Sequence, residues 1–170
     1  MTDYRKIQLE KLLKKNKVKE ARMQLINDLK KYHNIDISNH EYVDYQVSEE
    51  VHKKVYEQIK SDDIKSLKFP FNEETVKSKI DFIFGYFKDN EKETVMFFPS
   101  TFGFYFRNSN QLYLDYPIAI RMSLLDCKKI VLTLMFEMHD DLVVVSDKFK
   151  FGFVLSEDEY STVTIEDWEK

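Results

Sequence analysis

The sequence predicts an α+β fold: N-terminal helices packed on a mostly antiparallel β-sheet formed by the C-terminal half. Three observations lead there. Apolar residues recur at helical spacing over much of the first half. From Glu93 the texture changes to short β-rich runs bounded by turn residues, and one of these, LVVVS then DK then FKFGFVLS, reads as a hairpin. Runs of helices followed by runs of antiparallel strands define this class.

Thr2 or Asp3 caps a first helix, and residues 17–32 read as a second helix or as its continuation. At 100° per residue, Leu9, Leu12 and Leu13 cluster on one side, whereas Val18, Ala21, Leu25, Leu29 and Tyr32 cluster nearly opposite. Either the helix breaks near Asn16, or one long helix buries two sides. Residues 33–39 form a polar connection, and 42–47 alternate like a short strand. Ser48 then stands as N-cap before EEVHKKVYEQIK, where Val51, Val55 and Ile59 fall four apart and Glu49 and Glu50 sit at the favourable end of the dipole. SDDIKSLKFPF reads as a loop, ended by Asn72 as the next N-cap. In the helix that follows, Val76, Ile80, Ile83, Phe84 and Phe87 lie within about 100° of arc, the pattern of a helix lying on a sheet.

Residues 94–98 and 102–107 are strand-like and separated by Pro99 and Ser100, and NSNQ marks a turn into 112–116, so the expectation is a meander. Pro117 opens a segment read as helical, with Ile130, Leu134 and Met138 spaced by four, although IVLTLMF (130–136) fits a buried strand equally well. Thr162 to Ile165 adds a last short strand after the hairpin. One domain over residues 1–170 is expected, with a basic helical segment at 1–33, a helical segment at 34–92 and antiparallel strands with one possible helix at 93–170. There is no internal repeat and no Gly/Ser or Pro linker.

At 170 residues, 43% apolar and 33% charged, the chain has ordinary globular composition and is long enough to bury one core. The single cysteine, Cys127, excludes an intramolecular disulfide, a thiolate cage and a C-x-x-C redox pair. MTDYRKIQLE lacks the apolar stretch of a signal peptide, and the longest uncharged apolar run, 130–136, is too short to span a bilayer. A cytoplasmic, reducing location is the expectation.

Charge is split by position. Residues 1–33 hold ten Lys/Arg against four Asp/Glu, which out of totals of 26 and 30 leaves sixteen against twenty-six for the remainder. Summed fields of this kind steer association. Lysines tracking along a helix neutralise phosphates, so the first segment admits a nucleic-acid-binding or self-associating reading. No recognition motif accompanies it and the net charge is −4, so nucleic acid is not the expected partner.

Chemical motifs are sparse. Gly85, Gly103 and Gly152 are isolated, so no P-loop, dinucleotide fingerprint or nucleophile elbow can be written. His33, His40, His52 and His139 match no zinc spacing, and no metal or other cofactor is expected. Asp115, Asp126 and Lys128 resemble the Asp…Asp-x-Lys layout of metal-dependent nucleases, in which two carboxylates hold the metal and the lysine steadies water or phosphate. That chemistry needs residues 126–128 on a central strand beside Asp115. No catalytic residue is assigned.

Acid is concentrated around the hairpin. Asp140 and Asp141 open its first strand, Asp147 lies in its turn, and Glu157, Asp158 and Glu159 follow its second strand beside Tyr160; Glu166, Asp167, Trp168 and Glu169 crowd the C-terminus. A hairpin places its two ends together, so the 140–141 and 157–159 groups share one edge. Acid with an embedded ring is the composition of a surface that steers and then anchors a basic partner. Asp140, Asp141, Glu157, Asp158, Glu159 and Tyr160 are therefore the expected contact residues.

The segment EMHDDLVVVSDKFKFGFVLSEDEY resembles the C-terminal hairpin of small bacterial immunity proteins that neutralise polymorphic or contact-dependent growth inhibition toxins, in its acid-led apolar strand, Ser-Asp turn and aromatic strand ending in acids. The resemblance implies a cytoplasmic, non-enzymatic α+β protein that binds and blocks a cognate toxin domain, often a nuclease, by direct protein contact. It carries no catalytic residue over to this chain.

Overall fold

The computed structural model describes residues 2–90, 92–99, 112–138, 141–158 and 160–170. Helix α1 (Thr2–His33) leads to β1 (Glu41–Tyr42), α2 (Tyr45–Gln58), β2 (Lys65–Pro70), α3 (Glu73–Tyr86), β3 (Thr94–Phe98), β4 (Ile120–Ser123), α4 (Leu124–Met138), β5 (Leu142–Ser146), β6 (Phe151–Glu157) and β7 (Thr162–Glu169). Short 3₁₀ turns lie at Lys88–Asn90 and Leu112–Leu114. The strands form one sheet in the order β1-β4-β3-β5-β6-β7-β2, every pair antiparallel. The predicted α+β class holds. The second half builds the sheet's centre, while both described edges come from the first half.

Side chains alternate across each strand, and both faces are covered. Val95, Phe97, Ile120, Leu142, Val144, Phe153 and Ile165 enter the larger core with residues of α1, α3 and α4. Met96, Phe98, Val143, Val145, Val154 and Trp168 enter a smaller one, closed by Val55 of α2 with Val51 and Ile59 packed against it. That double cover makes β5 buried at every position and explains why LVVVS is a continuous apolar run rather than an alternating one. Helix α3 starts at the expected cap, where the Asn72 side chain accepts from the Thr75 N–H. It docks on β6 through rings: Phe87 stacks on Phe151 at 4.5 Å, and Phe84 meets Phe153 edge-on at 5.2 Å. Such pairs contribute about 0.5–1.5 kcal/mol beyond the area they bury.

Helix α1 neither breaks near Asn16 nor buries two sides in this chain. It runs unbroken, with no Gly or Pro in its length, to Asn34, whose left-handed backbone (φ 55°) ends it. Val18, Ala21, Leu25 and Leu29 are buried, whereas Leu9, Leu12 and Leu13 face solvent.

Other expectations need correction. Only Glu41–Tyr42 is strand; α2 begins at Tyr45 because the Asp44 side chain accepts from the Gln46 N–H (3.0 Å) and caps the helix one turn early. Ser48 is then interior and buried, its Oγ donating to the Val43 carbonyl. The segment read as a loop contains β2, paired with β7 along six residues. As an edge strand with only Phe69 buried, it carries no apolar alternation, and Lys65, Lys68 and Pro70 blunt its free side. Residues 112–114 form a 3₁₀ turn beneath α1 rather than a strand: the Leu112 N–H donates to Gln24 Oε1 (2.9 Å) and the Tyr113 hydroxyl to Asp28 Oδ2 (2.7 Å). The stretch after Pro117 holds β4 before α4 begins, and 130–136 is helical. β7 continues to Glu169, well past Ile165. The strand expected at 102–107 lies outside the described residues.

Candidate functional site

Register brings Asp141, Glu157 and Asp158, the described members of the predicted acidic groups, to one end of the sheet. Pairing of Leu142 with Leu155 sets Asp141 opposite Ser156, next to Glu157 at the end of β6. The turn from β6 to β7 is built by Asp158. Its Oδ1 accepts from the N–H groups of Tyr160 and Thr162, both at 2.9 Å, and its own N–H donates to the Thr162 carbonyl at 3.0 Å. Ser161 takes a left-handed backbone (φ 61°), and its carbonyl accepts from Phe71 N–H at 2.7 Å, tying the turn to the residue after β2. This bracing leaves Tyr160 projecting, with 79% of its surface exposed. Asp158 thus serves the turn's geometry, and the ring is what the turn presents.

Asp141 is half-buried on the α2-facing side of the sheet, the side that also carries Thr164 and Glu166 of β7. Burial first, and the Glu166 carboxylate second, hold its carboxyl above the ordinary value. Lys68 is in register with Thr164 on the neighbouring edge strand. Glu166 is a site residue that the sequence reading placed only in an acidic tail; the signal was the alternation of β7, where Val163 and Ile165 are buried and Thr164 and Glu166 are not.

The remaining acids separate from this end. Asp147 of the hairpin turn accepts from Arg121 Nε at 3.1 Å, and Arg121 also reaches Glu41 at 3.2 Å, so this carboxylate is engaged across the sheet. Asp167 and Glu169 lie toward the opposite end, where Asp167 stands beside Lys65 and Glu169 accepts from the Tyr86 hydroxyl at 2.9 Å. Burial pushes Asp167 up, with Glu169 adding to it and Lys65 opposing. Trp168 is in the core and not on the surface. Asp140 and Glu159 lie outside the described residues.

Asp126 and Lys128 fall in the first turns of α4, not on the central strand that nuclease chemistry requires, and Asp115 follows the 3₁₀ turn. Lys128 pairs with Asp81 at 2.9 Å on the rim of a shallow pocket of about 210 Å³ between α3 and α4, lined also by Phe84, Gly85, Lys88, Leu124 and Leu125. Among the described residues no three His, Cys, Asp or Glu side chains converge to hold a metal ion, and no helix is long and apolar enough to cross a membrane. The Cys127 thiol is buried, which raises its pKa far above the ordinary value.

The geometry defines an α+β protein with a braced, ring-tipped acidic end to its sheet. Comparison with protein-family models, with curated proteins and with solved structures finds no match to this chain.

Proposed function

We propose that this chain is an immunity-type binding protein that neutralises a cognate bacterial toxin domain by direct contact through the acidic end of its sheet. The observation that carries the reading is the projecting Tyr160, set on a turn braced by Asp158 and flanked by the strand ends bearing Asp141 and Glu157. Carboxylates there accelerate encounter with a cationic active site, and a largely exposed ring that becomes buried on docking slows release. Charge pairs left on the rim of such an interface add little affinity.

Co-expression with the proposed cognate toxin domain tests the reading. The wild-type chain is expected to restore growth, and Glu157→Lys combined with Glu166→Lys to abolish protection while leaving the protein folded. Asp158 is kept, because its carboxylate builds the turn. Full protection by the doubly reversed protein would remove this surface from the account.

A further inference from the structure

The first half of α1 is unlike any other described part of the chain. Residues 3–17 are exposed throughout, and Tyr4, Ile7, Leu9, Leu12 and Leu13 stand 67, 49, 56, 55 and 53% exposed. They occupy two sides of the helix. Tyr4 and Ile7 prolong the stripe that carries Val18, Ala21 and Leu25 into the core, while Leu9, Leu12 and Leu13 point the opposite way. Residues 2–17 hold six Lys/Arg against two Asp/Glu, so with a chain total of −4 the rest of the molecule carries an excess of eight acids.

This arm does not fold back on its own acidic body. Thr2–His33 is one helix without Gly or Pro, and no hinge interrupts it. Lys14 ties its root to α2, through an ion pair with Glu49 at 3.3 Å and a position 5.1 Å above the Tyr45 ring. The arm is therefore a rigid rod about 24 Å long, and no described residue of the chain covers its apolar sides, which leaves them open to another molecule.

We infer that this other molecule is a second copy of the chain, in a reciprocal two-fold exchange that lays each arm on the partner's acidic body. Charge complementarity selects the occupant: a +4 arm meets a −8 remainder, whereas two arms alone repel. The two apolar sides select it again. A bilayer takes up one side of a helix lying on it and leaves the other in water, so a lipid surface accounts for only one of the two. A reciprocal exchange closes on itself, so it gives a dimer rather than a fibre.

Sedimentation equilibrium of the full chain in about 0.15 M salt is expected to give a dimer, twice the 20.5 kDa chain mass. Leu9→Ser with Leu12→Ser and Leu13→Ser raises the dimer dissociation constant about a hundredfold or more. It leaves the core and the melting temperature of the monomer nearly unchanged, because these side chains are exposed within the chain, and Leu→Ala at the same three positions, which keeps helix propensity, weakens the dimer likewise. Arg5→Glu with Lys6→Glu and Lys17→Glu weakens the dimer in the same direction. A wild-type monomer at about 100 µM, or a dimer indifferent to the serine substitutions, overturns the inference. So does monomeric protein that binds phosphatidylglycerol vesicles or RNA through those leucines.

Discussion

Trp168 lies with its six-membered ring against Gly152, its cross-strand partner, so that a Cβ on the glycine would come within 2.6 Å of Cη2 and 2.9 Å of Cε2. The indole has taken the volume a side chain on β6 would fill, and Phe149 closes over it at 5.6 Å. Gly152→Ala is expected to destabilise the protein by about 1–3 kcal/mol through overpacking, read as a lower urea midpoint with unchanged slope. Trp168→Leu in the Gly152→Ala background should recover part of that loss, since the two changes share one space.

Tyr113 and Asp28 form a second joint, between the 3₁₀ turn and α1. The hydroxyl is buried, its ionisation is pushed far above the ordinary value by that burial, and it donates at 2.7 Å to the carboxylate. Tyr113→Phe is expected to cost about 1 kcal/mol, and Asp28→Ala about 1–3 kcal/mol because it strands a buried hydroxyl. The double variant should cost less than the sum of the two, measured by denaturant unfolding.

The parts of the fold legible in the sequence are those where local chemistry and burial agree. Asn72 caps α3 as its position suggests, and the β5–β6 hairpin is bounded by turn residues and filled by apolar ones. Elsewhere tertiary context decides. Lys65 to Lys68 pair in the sheet while remaining exposed, so no hydrophobic period marks them as strand. Ser48 and Asp44 both carry capping side chains; Asp44 takes the role by accepting from the Gln46 N–H, while Ser48 lies buried inside the helix and donates to the Val43 carbonyl instead. At the site, the convergence of Asp141 with the β6 end follows from hairpin pairing, but Glu166 joins it only once β7 is known to run the length of β6. That Trp168 is core follows from its parity on β7, and that Tyr160 is surface follows from its place on the β6–β7 turn, neither of which composition reveals.

His52 supplies a pH dependence of one sign. It is packed against Phe98 and Tyr56, and burial depresses its pKa below the ordinary 6.5. The unfolded chain takes up a proton at a pH where the folded protein does not, so stability present above pH 6.5 falls as pH drops below it. Melting temperature followed from pH 7.5 to 5.5 should decline, and His52→Gln should flatten the decline.

Asp141 acts with the opposite sign. Its folded-state pKa is raised above the ordinary 3.8, so the native state holds the proton longer and stability is lost as pH rises from that value through the folded pKa. The ionised carboxylate is a net cost to folding at neutral pH. Asp141→Asn is expected to raise the melting temperature at pH 7, with the gain shrinking toward pH 4. If Asp141 contributes to the partner surface, the same variant binds more slowly.

The account centres on Tyr160 as the anchor of an acidic docking surface, and binding to the proposed cognate toxin domain tests it most directly. Calorimetric titration is predicted to give tight wild-type binding, with association weakening as salt rises. Tyr160→Ser should reduce affinity by about 2 kcal/mol or more, roughly thirtyfold, with no change in melting temperature. Equal affinity for wild type and Tyr160→Ser, independent of salt, would contradict it.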